Sequence, residues 1–148
     1  MEIFRLYRRA RFAGDHAGAL LSGGRWNSIG TPMLYASRHL SLACMEMLIH
    51  MDKLQLPEGF VWSSAELPES PKTLEVGPLE DVPKCQAAGD SWIREGGQLA
   101  ARVRSVVVPQ EYNVLLNPNH PGYKELEWTE PMPFRFDKRL FTSEPRVP

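Results

Sequence analysis

Residues 40–51 are Leu-Ser-Leu-Ala-Cys-Met-Glu-Met-Leu-Ile-His-Met, and this run decides how the rest of the chain is interpreted. A helix built from it would be apolar on nearly every side, which is typical of a buried helix, and Ser37 is its predicted N-cap. The run contains one carboxylate, Glu46, and burying an ionised carboxylate without a partner costs several kcal/mol. We therefore predict that Glu46 is a functional acid held by arginines from elsewhere in the chain, with His50 as a further hydrogen-bond partner. The alternative is a purely structural Glu46 that ties down a loop or meets a structural arginine.

The composition is that of an ordinary globular protein and excludes several functional classes. The 148 residues favour one domain, of which 43% are apolar and 24% charged. Seventeen basic and eighteen acidic side chains give a net charge of −1, so charge does not favour direct nucleic-acid binding or a membrane surface. The longest apolar run, about a dozen residues, is too short to cross a bilayer. Two cysteines without metal-type spacing predict a cytoplasmic protein that needs no metal.

The hydrophobic pattern predicts an α+β fold. Alternating or β-branched runs predict strands at 2–8, 33–36, 60–67, 106–108 and 113–116, with a short strand within 73–76. Two further helices are expected within 13–21 and 90–99. The proline-rich passage 68–89 is interpreted as surface wrapping without chemistry, and the tail around Trp128 and Phe136 as one or two closing strands.

Arginines near the start of the chain suggest an anion site. Arg8 ends the first predicted strand and is expected to point inward, whereas Arg9 and Arg11 are equally well explained as a solvated edge. Residues 23–27, Gly-Gly-Arg-Trp-Asn, combine a flexible backbone with a guanidinium fork and an amide, groups that suit phosphate and ribose oxygens. Tyr35 lies at the entrance to the Glu46 helix, although a buried tyrosine more often only packs in the core.

Together these segments resemble the RES domain, a bacterial toxin family named after its arginine, glutamate and serine. The resemblance runs through Tyr-Arg at 7–8, Gly-Gly-Arg-Trp-Asn at 23–27, Tyr-Ala-Ser at 35–37 and Ala-Cys-Met-Glu-Met-Leu-Ile-His at 43–50. It continues with Ser-Val-Val-Val-Pro at 105–109 and Asn-Val-Leu-Leu-Asn-Pro-Asn-His-Pro at 113–121. It covers most of residues 1–148, and the arginine before Ser105 is a minor departure.

The resemblance implies an ADP-ribosyltransferase-like fold with mixed sheets and flanking helices around an NAD⁺ cleft. It implies that Arg25, Tyr35, Glu46 and Ser105 carry the activity, and Ser105 is expected to hold Glu46 or the ribose by a hydrogen bond. Arg8, Trp26, Asn27 and Asn117 are further candidates for contacts with NAD⁺. It also implies a partner, an Xre-like antitoxin with a helix-turn-helix part.

The expected activity is destruction of NAD⁺ at its nicotinamide–ribose bond, with water or inorganic phosphate as the acceptor. NAD⁺ is then a substrate, and no other cofactor is expected. The alternative is a mono-ADP-ribosyltransferase that modifies a specific protein. A third, non-enzymatic alternative is a nucleotide-binding or interaction module with a structural Glu46.

Overall fold

A computed structural model describes residues 1–142, and its centre is a seven-stranded mixed sheet. The strands are β1 (Glu2–Arg8), β2 (Leu34–Ser37), β3 (Phe60–Glu66), β4 (Lys72–Thr73), β5 (Ala100–Arg104), β6 (Tyr112–Leu116) and β7 (Met132–Phe134). The helices are α1 (Ala17–Ser22), α2 (Leu40–Leu48) and α3 (Val82–Glu95), with 3₁₀ turns at Pro121–Glu125 and Lys138–Leu140. The strand order is β4-β5-β6-β2-β1-β3-β7. Only the β4–β5 pairing among these residues is parallel.

The two faces of the sheet carry different cores, because side chains alternate along each strand. On one face, Leu34, Ala36 and Val114 pack beneath the 3₁₀ turn at Pro121–Glu125 and the segment that follows it. On the other face, Leu115 and Val103 pack under α3, and Leu6 and Phe60 pack under α2. Both longer helices therefore lie on the same face, and the sheet between them forms the floor of a groove.

Helix α3 holds the glycine-rich turn at residues 23–27. It begins after Asp81, whose side chain accepts a hydrogen bond from the Lys84 backbone, and proline occupies its first turn, where no hydrogen bond is lost. The face of α3 formed by its positions 86, 89 and 90 meets the turn. Gln86 donates to the Gly24 carbonyl (2.9 Å), and the Ser28 backbone donates to Asp90 (2.9 Å).

Gly89 allows the closest contact between α3 and this turn. A Cβ atom on Gly89 would lie 1.7 Å from the backbone oxygen of Trp26. Only glycine fits there, although its backbone conformation in the helix is ordinary.

A cluster of aromatic rings closes the sheet beside α2. Phe136 makes edge-to-face contacts with Phe60, Phe134 and Phe141, at centroid distances of 5.0–5.8 Å. The predicted closing strand is confirmed as β7, which pairs with β3. Residues 143–148, which belong to the predicted 1–148 domain, lie outside the described residues.

The α+β class with a mixed sheet and flanking helices is confirmed. Strand β1 is as predicted, β3 and β6 differ from prediction by one residue at one end, and β2 is shifted by one residue at both ends. No helix within residues 1–142 combines the length and apolar character needed to span a bilayer.

Several predicted elements are corrected. The Val106–Val108 strand is wrong, because the strand is Ala100–Arg104 and the chain turns back at 105–111, where the Val108 backbone donates to the Ser105 hydroxyl (3.0 Å). The helix predicted at 90–99 runs from Val82 to Glu95, so part of the supposed wrapping is helical. The helix predicted within 13–21 is Ala17–Ser22, which ends one residue later, and the strand predicted within 73–76 is Lys72–Thr73, which shares only Thr73 with that range.

The predictions for the Glu46 helix are also corrected. Helix α2 is half-exposed rather than buried, since Met45 is 43% exposed and Ile49 54% exposed. Ser37 is not its N-cap; it is the last residue of β2, and His39, which precedes the helix, makes no side-chain cap bond. The apolar side chains of α2 thus split between core packing and the rim of the groove.

Candidate active site

The groove between α2 and the glycine-rich turn is a cleft of about 960 Å³. Its walls include Glu46 from α2 and His50 just beyond the end of that helix, Arg25 and Trp26 from the turn, and Val82 at the start of α3. Its floor is the sheet face that carries Tyr35, Ser37 and Asn113, and its lining also includes Arg8 and Arg104. Residues 1–142 contain no cluster of three or more His, Cys, Asp or Glu side chains that could hold a metal ion.

Glu46 is held by two neutral hydrogen-bond donors on one of its carboxylate oxygens. The Ser105 hydroxyl and the Asn113 amide nitrogen each donate to Oε1 at 2.7 Å. Oε2 has no partner among residues 1–142, and it is not among their buried unpaired atoms. Since Glu46 lines the cleft, Oε2 is the oxygen available to a bound ligand.

The predicted arginine partners of Glu46 are corrected. Within residues 1–142 no arginine lies within ion-pair distance of Glu46, and His50, which is exposed beyond the end of α2, makes no hydrogen bond to it. The arginines instead line the same cleft, where they can serve a ligand. Ser105 and Asn113 provide the hydrogen bonds that a half-buried carboxylate requires.

Arg25 is half-buried, with one end of its guanidinium fixed. Its Nη1 donates to the Leu79 carbonyl, and its other donors have no partner in the described part of the chain. Arg8 is exposed rather than turned inward, and its guanidinium carbon lies 4.9 Å from the centre of the Phe60 ring. Arg104, the residue before Ser105, donates to the Pro109 carbonyl (2.9 Å) and the Tyr112 hydroxyl (3.0 Å). These cations make the cleft attractive to an anion.

Tyr35 supports the glycine-rich turn through its hydroxyl. It donates to the Asn27 side-chain oxygen (2.6 Å) and accepts from the Trp26 backbone (3.0 Å). Burial raises the pKa of Tyr35 well above its ordinary value of 10.0, so the phenol stays neutral and remains a donor. A Cβ on Gly24 would lie 2.7 Å from this hydroxyl, which explains a glycine there. The hydroxyl is committed to the turn, and the ring lines the cleft.

Two predicted binding residues lie outside the cleft. Asn27 is 0% exposed, and its amide nitrogen donates to the carbonyls of Ala19 (2.9 Å) and Thr31 (3.0 Å), so it shapes the turn instead of contacting a ligand. Asn117 is also 0% exposed, at the far end of β6, and its side-chain oxygen accepts from the Asn119 backbone. Trp26 touches the cleft, but at 3% exposed it is mainly a core residue under α3.

Asn113 and Ser37 were missed as site residues by sequence reasoning. Both are polar residues at the ends of otherwise apolar strands, and Ser37 pairs directly with Asn113 across β2 and β6. Their side chains point to the same face as Tyr35, two residues from Ser37 along the strand. A polar residue in an otherwise apolar strand was therefore the sequence signal that could have identified both as site residues.

Comparisons with known proteins agree with this architecture. The RES domain model matches residues 2–137. The Prs ADP-ribosylating toxin of Sphingobium sp. (strain YBL2) is 31% identical over 135 residues, which cover 84% of both chains. Toxin Res of Photorhabdus laumondii is 30% identical over 95% of this chain and 97% of that relative.

A solved structure shows the same fold. A chain in the crystal structure of the M. tuberculosis MbcT–MbcA toxin–antitoxin complex matches 90% of this chain and 84% of its own length, with a TM-score of 0.55 at 16% identity. At that identity the likeness concerns the fold alone. Because the family model spans most of the sequence and the relatives match nearly end to end, the chain belongs to the RES domain family of toxins.

Proposed function

We propose that this chain is the toxin of a toxin–antitoxin pair and that it cleaves the nicotinamide–ribose bond of NAD⁺. The observation that carries the proposal is the Glu46 carboxylate, with Oε1 held by two donors and Oε2 available in a cleft lined by arginines. A carboxylate fixed in this way is suited to stabilising a developing positive charge. The family membership and the names of the relatives support the same reading.

The chemistry follows from the bond that breaks. Its electron pair leaves with nicotinamide, whose ring nitrogen becomes neutral, while positive charge grows on the anomeric carbon and ring oxygen of the ribose. A carboxylate held close to that charge stabilises the transition state more than the ground state. Because Ser105 and Asn113 fix Oε1, Glu46 need not reorganise as the charge develops.

The arginines of the cleft would bind the pyrophosphate of NAD⁺. Arg25 has one end of its guanidinium anchored on Leu79, so its free donors are held in place for a bidentate contact. Arg8 and Arg104 are the other cations of the wall that could share the negative charge. The Tyr35 ring, set by its bonded hydroxyl, would pack against the nicotinamide or its ribose.

The acceptor determines the product. Water yields ADP-ribose and a proton, whereas inorganic phosphate yields ADP-ribose 1″-phosphate. Several arginines in one cleft would admit phosphate beside NAD⁺, which favours phosphorolysis. In either case NAD⁺ loss in the cytoplasm would arrest growth until an Xre-like antitoxin neutralises the toxin.

The experiment is proton NMR of NAD⁺ with the purified chain, with and without phosphate. We expect free nicotinamide to appear, and phosphate to raise its rate and change the ribose product. Glu46→Gln preserves the shape and the acceptor oxygen but removes the charge, and should lower turnover by about a thousandfold. Glu58→Gln makes the same change at an exposed residue outside the cleft and serves as the control. Turnover at the parental rate in Glu46→Gln would show that the acid is not catalytic.

A second candidate is mono-ADP-ribosylation of a protein. It is favoured by the name of the Sphingobium relative and by two exposed apolar residues of the cleft lining, Ile49 (54%) and Val106 (40%), which an acceptor protein could contact. NAD⁺ labelled in its ADP-ribose part, incubated with cell lysate, separates the two functions. Label fixed to one protein band indicates transfer, and label that stays in small molecules indicates degradation.

A further inference from the structure

A chain of hydrogen bonds extends from Glu46 into the sheet. The Asn113 amide nitrogen donates to Glu46 Oε1 (2.7 Å), and the Ser37 hydroxyl donates to the Asn113 amide oxygen (2.7 Å). Ser37 is 4% exposed, and it faces Asn113 directly in the register of β2 and β6. The three side chains therefore form one connected line from the sheet floor to the carboxylate.

Each bond of this line fixes the direction of the next one. A carboxylate can only accept, so the amide nitrogen of Asn113 must be the atom that faces Glu46. The amide oxygen then faces Ser37, whose hydroxyl supplies the proton that holds it there. Rotating the amide by half a turn would place its oxygen against the carboxylate and break the bond to Glu46, whereas the Ser37 hydroxyl could then accept from the amide nitrogen. The carboxylate thus sets the orientation in which Asn113 is a donor, and Ser37 holds the Asn113 side chain in position beneath it.

We propose that Asn113 is a positioning residue for Glu46 and that Ser37 acts through Asn113. This inference rests on the proposed cleavage of NAD⁺ and adds two residues to its machinery. Ser105 and Asn113 approach Oε1 from different strands, one after the end of β5 and one in β6. Two donors from different directions restrict rotation of the carboxylate plane, which a single donor would leave free. Oε2 is then held toward the cleft before substrate arrives.

The predicted kinetic signature is a loss of kcat without a change in KM. Neither Ser37 nor Asn113 is assigned a substrate contact, so their removal should not weaken the binding of NAD⁺. A carboxylate that is poorly oriented stabilises the transition state less, which lowers kcat and kcat/KM equally. We expect Asn113→Ala to lower kcat about 30-fold and Ser37→Ala about 5-fold. The double variant should match Asn113→Ala, because Ser37 works only through that amide.

The control is Ser63→Ala. Ser63 is also a buried serine of the sheet that makes one side-chain hydrogen bond, to the Tyr7 hydroxyl (2.8 Å), but it belongs to the opposite face. Its variant should keep the parental kcat. Thermal unfolding of each variant shows whether it is folded, and Ser37→Ala, which removes one oxygen atom, decides the matter if Asn113→Ala does not fold.

The experiment measures kcat and KM for NAD⁺ by proton NMR for the parent, Glu46→Gln and these variants. The proposal is supported if KM is unchanged and kcat falls more in Asn113→Ala than in Ser37→Ala. If the parent cleaves NAD⁺ and Glu46→Gln does not, but Ser37→Ala and Asn113→Ala keep the parental kcat, the positioning role is overturned and the proposed function stands. If the fold losses in kcat of the two single variants multiply in the double variant, Ser37 does not act through Asn113, and that part of the proposal is overturned. A parent that does not cleave NAD⁺ overturns both proposals.

Discussion

Replacing Gly89 with alanine should destabilise this protein, although alanine is the better helix former. The added Cβ would lie 1.7 Å from the Trp26 oxygen and 2.7 Å from its carbonyl carbon, and neither backbone atom can rotate away. Helix α3 and the turn would have to separate by roughly 1.5–2 Å to restore ordinary contact distances. That movement would break the bonds from Gln86 to Gly24 and from Ser28 to Asp90.

The magnitude follows from these losses. Overpacking of a tight contact costs about 1–3 kcal/mol and each lost hydrogen bond about 1 kcal/mol, against a gain of about 1 kcal/mol in helix propensity. We expect a net loss of about 3 kcal/mol, which lowers Tm by about 10 °C in a chain of this size. Because the turn carries Arg25, KM for NAD⁺ should rise as well.

The assay is thermal and urea unfolding, followed by circular dichroism, with Gly18→Ala as the matched control. Gly18 is also helical, but a Cβ there has no atom within 4 Å, so its variant should gain about 0.5–1 kcal/mol. Opposite signs for the two substitutions support the contact between α3 and Trp26. A Gly89→Ala protein as stable as the parent would refute the reasoning.

Three further predictions concern the turn, the aromatic cluster and alkaline pH. Tyr35→Phe removes the partner of the Trp26 backbone and of the Asn27 oxygen, so it should cost about 1–3 kcal/mol in urea unfolding and raise KM for NAD⁺. Phe136→Ala removes a ring in contact with three others and should cost about 4 kcal/mol by the same measurement. Burial raises the pKa of Tyr123 from 10.0 to about 12, so the stability that this neutral phenol contributes is complete below pH 10 and is lost as the pH rises toward 12. The urea midpoint should accordingly decrease as the pH is raised from 10 to 12, and decrease less in Tyr123→Phe.

The strands were largely predictable because their patterns are local. Apolar and polar side chains alternate roughly from Ile3 to Arg8, and that pattern places β1 correctly. The run Val106–Val108 misled because β-branched residues favour strands on average, while here Pro109 follows and the chain must reverse to pair β5 with β6. Tertiary pairing outweighed propensity at that position.

The start of α3 was missed because it falls in the proline-rich passage 68–89, which was interpreted as surface wrapping. Pro83 lies in the first turn, where a missing N–H costs nothing, and Asp81 caps the helix. Because the start of the helix was missed, its contact with the glycine-rich turn was missed as well. Nothing in the sequence marks Gln86, Gly89 and Asp90 as contact residues. Only their spacing, which places all three on one face of a helix, indicates that they contact the same segment.

The site was predictable at its acid and only in part in its hydrogen bonds. Glu46 stands out as a carboxylate in an apolar run, and it does line the cleft. The bond from Ser105, 59 residues away in sequence, was expected from the family resemblance and is confirmed, whereas Asn113, 67 residues away, was missed because no local pattern identifies so distant a pair. Arginine was expected for reasons of charge, whereas a half-buried acid can be satisfied by a hydroxyl and an amide that need no counter-charge.

The two-residue alternation of β2 and β6 limits how this cleft can change. Ser37 and Asn113 share one side of the sheet, while their neighbours Ala36 and Val114 fill the hydrophobic interior on the other. Inserting or deleting a single amino acid in either strand would exchange the residues of the two faces. Apolar side chains would then line the cleft, and polar side chains would enter the hydrophobic core. Changes in chain length are therefore better accommodated in the connecting loops, such as the turn at 105–111, whose first residue donates to the acid.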